Sequence, residues 1–175
     1  MELKILYLIQ KMHTPILDKI MTDISSLGNA GVIWIVLIGI QFCFPQYRKS
    51  GMTMGMALII DGIICNLVLK NMIARPRPCW VDSNISLLIA TPKDFSFPSG
   101  HTAAAFAAVV PLMYYHRTEG MIVLVFAVLM AFSRMYLFVH YPTDILGGIL
   151  VGSISGIAAI YIIKTGIAAF EMIKK

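Results

Sequence analysis

Residues 145–163 read ILGGILVGSISGIAAIYII, 19 consecutive uncharged residues. A helix rising 1.5 Å per residue needs about 20 such residues to cross the hydrocarbon of a bilayer. This is the cleanest span in the chain, and it sets the fold class. Four further apolar blocks precede it, at 30–44, 52–69, 102–115 and 121–133. Those at 30–44, 102–115 and 121–133 are short alone, but flanking residues extend each. The pattern predicts an all-α polytopic membrane helix bundle of about five transmembrane helices. Residues 3–12 set Leu3, Leu6, Tyr7 and Ile9 among Lys4, Gln10 and Lys11, which suits an amphipathic helix lying at the interface. Residues 16–24 mix Asp18, Lys19 and Asp23 with Leu17, Ile20 and Met21, so a sixth span would carry charges across. The chain thus divides into an N-terminal amphipathic segment, 1–28, and a transmembrane domain, 29–175. Gly148, Gly152 and Gly156 recur every four residues in the last block, a spacing that lets helices approach closely, here within one bundle rather than between copies.

Composition agrees. Charged residues make up 13% of the chain, hydrophobic ones 58%, and mean hydropathy is +0.81. A soluble domain carries about a quarter charged residues, so too little polar surface exists here to coat a water-soluble globule. The net charge of +5 is scattered over loops and segment ends. No contiguous basic face offers itself to a nucleic acid; contact with anionic membrane lipid is the simpler use of this charge. Cys43, Cys65 and Cys79 have no zinc-ligand spacing and read as packing residues. The opening MELKILYLIQKMHTP lacks the long apolar core and cleavage site of a removable leader.

Short loops give an orientation. Arg48 and Lys49, Arg117, and Lys164 with Lys174 and Lys175 all fall on one side, the expected cytoplasmic face. The loop 70–98 and the turn at His140 then lie on the outer side. Yet that loop holds Lys70, Arg75, Arg77 and Lys93. Positive charge kept on the wrong side suggests a task.

Three polar clusters meet at these span ends. Lys70 is followed, after six residues, by Arg77-Pro78; Phe97-Pro98-Ser99-Gly100-His101 opens an alanine-rich helix; Ser133-Arg134 is followed by His140 and then Asp144. Charges at membrane depth are costly unless paired or functional, so three converging cations imply an anion. A helix starting at Ser99-Gly100 leaves first-turn amides free for phosphate, and glycine lets the ligand come close. Arg77 and Arg134 can each grip two oxygens, and Lys70 adds a point charge. Pro142 favours the first turn of a helix, which would set Asp144 near His140. A carboxylate on one imidazole nitrogen frees the other to attack phosphorus, while His101 could protonate the leaving oxygen. Nothing resembles a carboxylate-rich magnesium site, so no metal and no cofactor is expected. Arg75, outside these clusters, reads as a headgroup anchor or loop charge. Asp61, inside the block 52–69, reads as a structural hydrogen bond within the bundle. The segment 81–95 is expected to shape substrate access.

Phe97 apart, these eleven residues in this order and spacing resemble the tripartite signature of the type 2 phosphatidic acid phosphatase superfamily. The resemblance spans residues 70–144. It implies a helical bundle that hydrolyses lipid phosphate esters or anhydrides through a phosphohistidine. It puts His140 as nucleophile, Asp144 as its partner and His101 as acid, with Lys70, Arg77, Ser99, Gly100 and Arg134 on phosphate. It also implies vanadate binding, since soluble haloperoxidases share the site. Small proteins of this build are similar to bacterial undecaprenyl-diphosphate phosphatases; phosphatidylglycerophosphate and phosphatidic acid are the alternative substrates. A phosphate or lipid-phosphate transporter would use the cations but leave the His140–Asp144 pair without a task. The oligomeric state is not legible.

Overall fold

The computed structural model describes the backbone of residues 1–173 and the side chains of residues 1–168. Helix α1 (Glu2–Gln10) and helix α2 (Pro15–Leu27) each pack against the helix that ends at Tyr136. Thr14 caps α2 by accepting from the Leu17 amide at 3.3 Å, and Pro15 sits at the first helical position, where no amide is missed. A turn at Asn29–Gly31, with Ala30 and Gly31 both at positive φ, bends the chain into α3 (Val32–Cys43). After a second turn, α4 (Arg48–Asp61) runs into a π-helical segment, Gly62–Leu69, and then α5 (Lys70–Ile73) and α6 (Pro78–Val81). An irregular loop, 82–99, leads to α7 (Gly100–Tyr115), α8 (Arg117–Tyr136) and α9 (Pro142–Ile173).

Among the described residues, three helical runs are long and apolar enough to cross a membrane: Pro45–Val81, Arg117–Tyr136 and Pro142–Ala168. Pro15–Leu27 and Asn29–Cys43 make a fourth if they are one span bent by 51°. The helical membrane bundle expected from sequence is therefore present, with two differences. The block 30–44 reaches span length only with α2, and α7 has just 16 residues. At 1.5 Å each these give about 24 Å, short of a bilayer core of about 30 Å.

Being enclosed compensates for that shortness. Helix α7 packs against α4, α8 and α9, and Ala103, Ala105, Ala107 and Ala108 are wholly buried there. Small residues on both sides allow the contact. A Cβ at Gly152 would fall 2.1 Å from the Ala103 carbonyl oxygen, one at Gly148 2.7 Å from that of Ser99, and one at Gly156 2.7 Å from Val110. The glycine repeat thus serves packing within the chain. Leu146, Leu150, Ile154 and Ile157 lie exposed along α9, an apolar stripe suited to lipid. Cys65 and Cys79 are buried as expected of packing residues, whereas Cys43 is exposed.

The two ends of the bundle differ. At one end Tyr47 donates to Glu119 at 2.8 Å, Lys49 sits over the Tyr115 ring, and Lys164 donates to the Tyr114 hydroxyl at 2.9 Å. These contacts gather the basic segments at 48–49, 117 and 164. The motif residues lie at the other end.

Candidate active site

Each motif residue is delivered by the end of an element. Helix α5 stops after Ile73 because Ala74 adopts positive φ, and Arg77 follows in extended backbone before Pro78. Arg134 closes α8. Phe138, also at positive φ, reverses the chain so that His140 precedes Pro142 at the start of α9. A bulky residue in that region is strained and persists only where its surroundings hold it; Phe138 is wholly buried.

Lys70, Arg77, Gly100, His101, Arg134 and His140 line one cavity of about 380 Å³. Lys70, Arg77, Arg134 and His140 are all buried. Arg77 is held rigidly: its guanidinium donates to the Asp94 carbonyl at 2.7 Å, the Val139 carbonyl at 2.8 Å and the Asp94 carboxylate at 2.8 Å. It also meets His140 Nε2 at 3.1 Å. A guanidinium only donates, so Nε2 accepts and carries a lone pair. Burial, then the charges of Arg77, Arg134 and Lys70, hold His140 well below the usual histidine range. Arg134 donates to the Ser25 hydroxyl, while its buried Nε lacks a partner among the described residues.

Asp144 stands behind His140, its Oδ2 3.5 Å from Nδ1. That carboxylate is fully buried and accepts from the Tyr141 amide at 2.8 Å and from the Ser96 hydroxyl at 2.5 Å. Ser99 does not reach the cavity wall. Its hydroxyl accepts from Thr102 at 3.0 Å and its amide donates to the Asp144 carbonyl at 3.0 Å. Gly100 is crowded by protein: a Cβ there would come within 3.1 Å of Asn66 Oδ1 and 3.6 Å of Lys70 Nζ. Its glycine makes room for these two side chains as well as for a ligand.

Several residues at the site escaped the sequence reading. Arg75 is not a headgroup anchor. It donates to Asp144 Oδ1, Thr143 Oγ1 and Glu2 Oε2, each at 2.6 Å, and lies 4.0 Å over the Tyr141 ring. Its only hint in sequence was a basic charge on the wrong side. Asp94 pairs with both Lys70 and Arg77. Burial alone would raise its carboxyl, but the Lys70 hydrogen bond and the charges of Lys70 and Arg77 outweigh that and bring it down to about 2. His101 Nε2 lies 3.1 Å from Asn29 Oδ1, and Gly28 is required beside it, since a Cβ there would meet the His101 ring at 2.7 Å. Residues 89–92 and Asp94 also line the cavity, so part of the segment 81–95 forms its wall as expected. Asp61 departs from expectation: it is buried, yet its Oδ1 finds no partner among the described residues.

A helical membrane bundle with a cationic, histidine-bearing cavity at one end defines a membrane phosphatase. The chain belongs to the PAP2 superfamily, which it matches over residues 50–167. It is 33% identical to undecaprenyl-diphosphatase BcrC of Bacillus subtilis (strain 168), over 82% of this chain and 74% of that protein. It is 36% identical to phosphatidylglycerophosphatase B of the same organism, over 79% and 71%. Among solved structures it is similar to Aquifex aeolicus LpxE, with a TM-score of 0.80 at 29% identity, covering 91% and 94%. It is a phosphoric ester hydrolase of lipid phosphates.

Proposed function

We propose that the enzyme removes the terminal phosphate of a lipid diphosphate, undecaprenyl diphosphate giving undecaprenyl phosphate, on the outer face of the membrane. The observation that carries the chemistry is the state of His140. Its Nε2 lone pair, at the cavity wall, accepts from Arg77 until a phosphoryl group takes over that donor, and Asp144 lies against Nδ1. Nε2 attacks the terminal phosphorus, and the bond to the bridging oxygen breaks as His101 gives that oxygen a proton. Arg77, Arg134, Lys70 and the first-turn amide of Gly100 carry the charge of the pentacoordinate state. Water gives a proton back to His101 as it attacks the phosphohistidine, the P–N bond breaks, and inorganic phosphate leaves, restoring both rings. No step calls on a metal or a cofactor. Similarity to the undecaprenyl-diphosphatase supports this lipid. Similarity to the phosphatidylglycerophosphatase supports phosphatidylglycerophosphate as a second substrate.

The test is phosphate release by the purified protein, with EDTA present, from undecaprenyl diphosphate, phosphatidylglycerophosphate and phosphatidic acid. Release from the diphosphate is expected, and His140→Ala should abolish it. Strict dependence on a divalent metal, or hydrolysis surviving in that variant, would sink the mechanism. Ligand uptake without hydrolysis would point to a transporter.

A further inference from the structure

In an α-helix, residues nine apart are two and a half turns apart and face opposite ways. Asp61 and Lys70 are nine apart, yet both line one cavity of about 570 Å³, and Asn66 lies between them on the same wall. The π-helical segment Gly62–Leu69 is the reason. Its wider i→i+5 turns let nine residues make about two full turns, so Asp61, Asn66 and Lys70 come onto one wall. This cavity shares Lys70, Asp94, Gly100 and His101 with the catalytic one. Elsewhere its wall is glycine and aliphatic, including Ile35 and Ile59, both exposed on the lipid-facing surface. It is therefore a lateral chamber between the hydrocarbon and the chemistry.

A carboxyl 2% exposed, with Oδ1 unpartnered among the described residues, is costly inside a membrane helix. A residue kept for the fold alone would find its donor in the bundle. Asp61 does not, and it faces a chamber instead. His101 stands where the two cavities meet. With the phosphoryl group over His140, whatever fills the chamber is the leaving group.

We propose that Asp61 and Asn66 form a leaving-group subsite for a hydrogen-bond donor set between the scissile oxygen and the hydrocarbon tail. A glycerol hydroxyl supplies one, whereas the inner phosphate of a diphosphate is ionised near neutral pH and offers acceptors alone. A diacylglycerol or plain alkyl leaving group supplies none. The subsite rests on the roles given above to His140 and His101, and it selects lipids with a hydroxyl-bearing spacer.

The experiment is kcat/KM for undecaprenyl diphosphate, phosphatidylglycerophosphate and phosphatidic acid in detergent micelles, for the wild type, Asp61→Asn and Asp61→Leu. In Asp61→Leu the preference for hydroxyl-bearing lipid over phosphatidic acid should fall about tenfold, the worth of one hydrogen bond to a charged group. Asp61→Asn, which still accepts a hydrogen bond, should retain part of it. A fall confined to the glycerophosphate identifies the hydroxyl, and a fall of equal size for the diphosphate, which brings no donor, overturns the subsite. Orthovanadate inhibition reports whether the phosphoryl cavity survives the change. Should Asp61→Leu fail that check, Asn66→Leu carries the same expectation. A preference unchanged in these variants, whether rates hold or fall together, overturns the subsite. A wild type inactive on all three lipids takes down the proposed reaction with it, whereas an active wild type indifferent to Asp61 counts against the subsite alone.

Discussion

His140 is held from both sides, by Arg77 at Nε2 and by Asp144 near Nδ1, and the second hold depends on a third residue. Asp144 Oδ1 is gripped by Arg75 at 2.6 Å, in a carboxylate with no exposed surface. Removing that cation leaves a buried charge free to turn away from the ring. Arg75→Ala should therefore lower kcat by about tenfold to a hundredfold with little change in KM. Steady-state kinetics decides this, since a change confined to KM would make Arg75 a binding residue. Asp94 acts in the opposite sense. Its carboxylate occupies Lys70 and Arg77 in the ligand-free site, so an incoming phosphate must displace it. Asp94→Asn should tighten orthovanadate inhibition about fivefold; weaker inhibition would mean that Asp94 holds the cations in place. Its pH signature follows from the direction of its shift. A carboxyl lowered from 3.8 to about 2 stabilises the fold above about pH 4, and that contribution fades as pH falls toward 2. The difference in thermal stability between wild type and Asp94→Asn should shrink over that window. Lys70, Arg77, His101, Arg134 and His140 were legible in sequence because charged and imidazole groups at span ends are costly without a task. Arg75, Asp94 and Ser96 were not, because each is an ordinary loop residue until the fold chooses its partner.

At the level of elements, the active end rests on the contact between α7 and α9. Ser99, Gly100 and His101 start α7, His140 and Asp144 flank the start of α9, and Gly148 and Gly152 let the two backbones meet. Gly152→Val would drive a side chain into the Ala103 carbonyl, 2.1 Å from where its Cβ must lie. The helices would have to part, at about 3 kcal/mol or more, and activity should fall with the melting temperature. Gly39 is the control. Nothing lies within 4 Å of a Cβ there, inside α3, so Gly39→Ala should stabilise by about 0.5–1 kcal/mol. Unfolding of both variants in detergent, followed by circular dichroism, checks the pair, and equal destabilisation would refute this account of the interface. The glycine repeat was readable because spacing of four marks one helix face. The π-helical segment was not. Residues 52–69 carry the composition of any apolar helix, and no residue type in them announces an extra residue per turn.

For the whole molecule, a polar cavity must open where water can reach it, while its lipid substrate arrives from the side. The bundle meets both needs by polarity along its axis. Its basic, aromatic end around Tyr47, Lys49, Glu119 and Lys164 is distinct from the end that carries His140. Charge bias in short loops supports our proposal that the first end is cytoplasmic and the site end faces out. Helices α1 and α2 add to the site end, since Glu2 clamps Arg75 and Ser25 receives Arg134. The orientation is testable by thiol labelling in a background where Cys43 is replaced by serine, leaving Cys65 and Cys79 buried. Asn84→Cys lies on the exposed loop at the site end, and Thr118→Cys is exposed at the other. A membrane-impermeant maleimide should label Asn84→Cys in intact cells and Thr118→Cys only after the membrane is opened. The reverse pattern would put the site in the cytoplasm. Lys70, Arg75 and Arg77 would then need no functional reason to lie where they do, because the positive-inside bias alone would account for them.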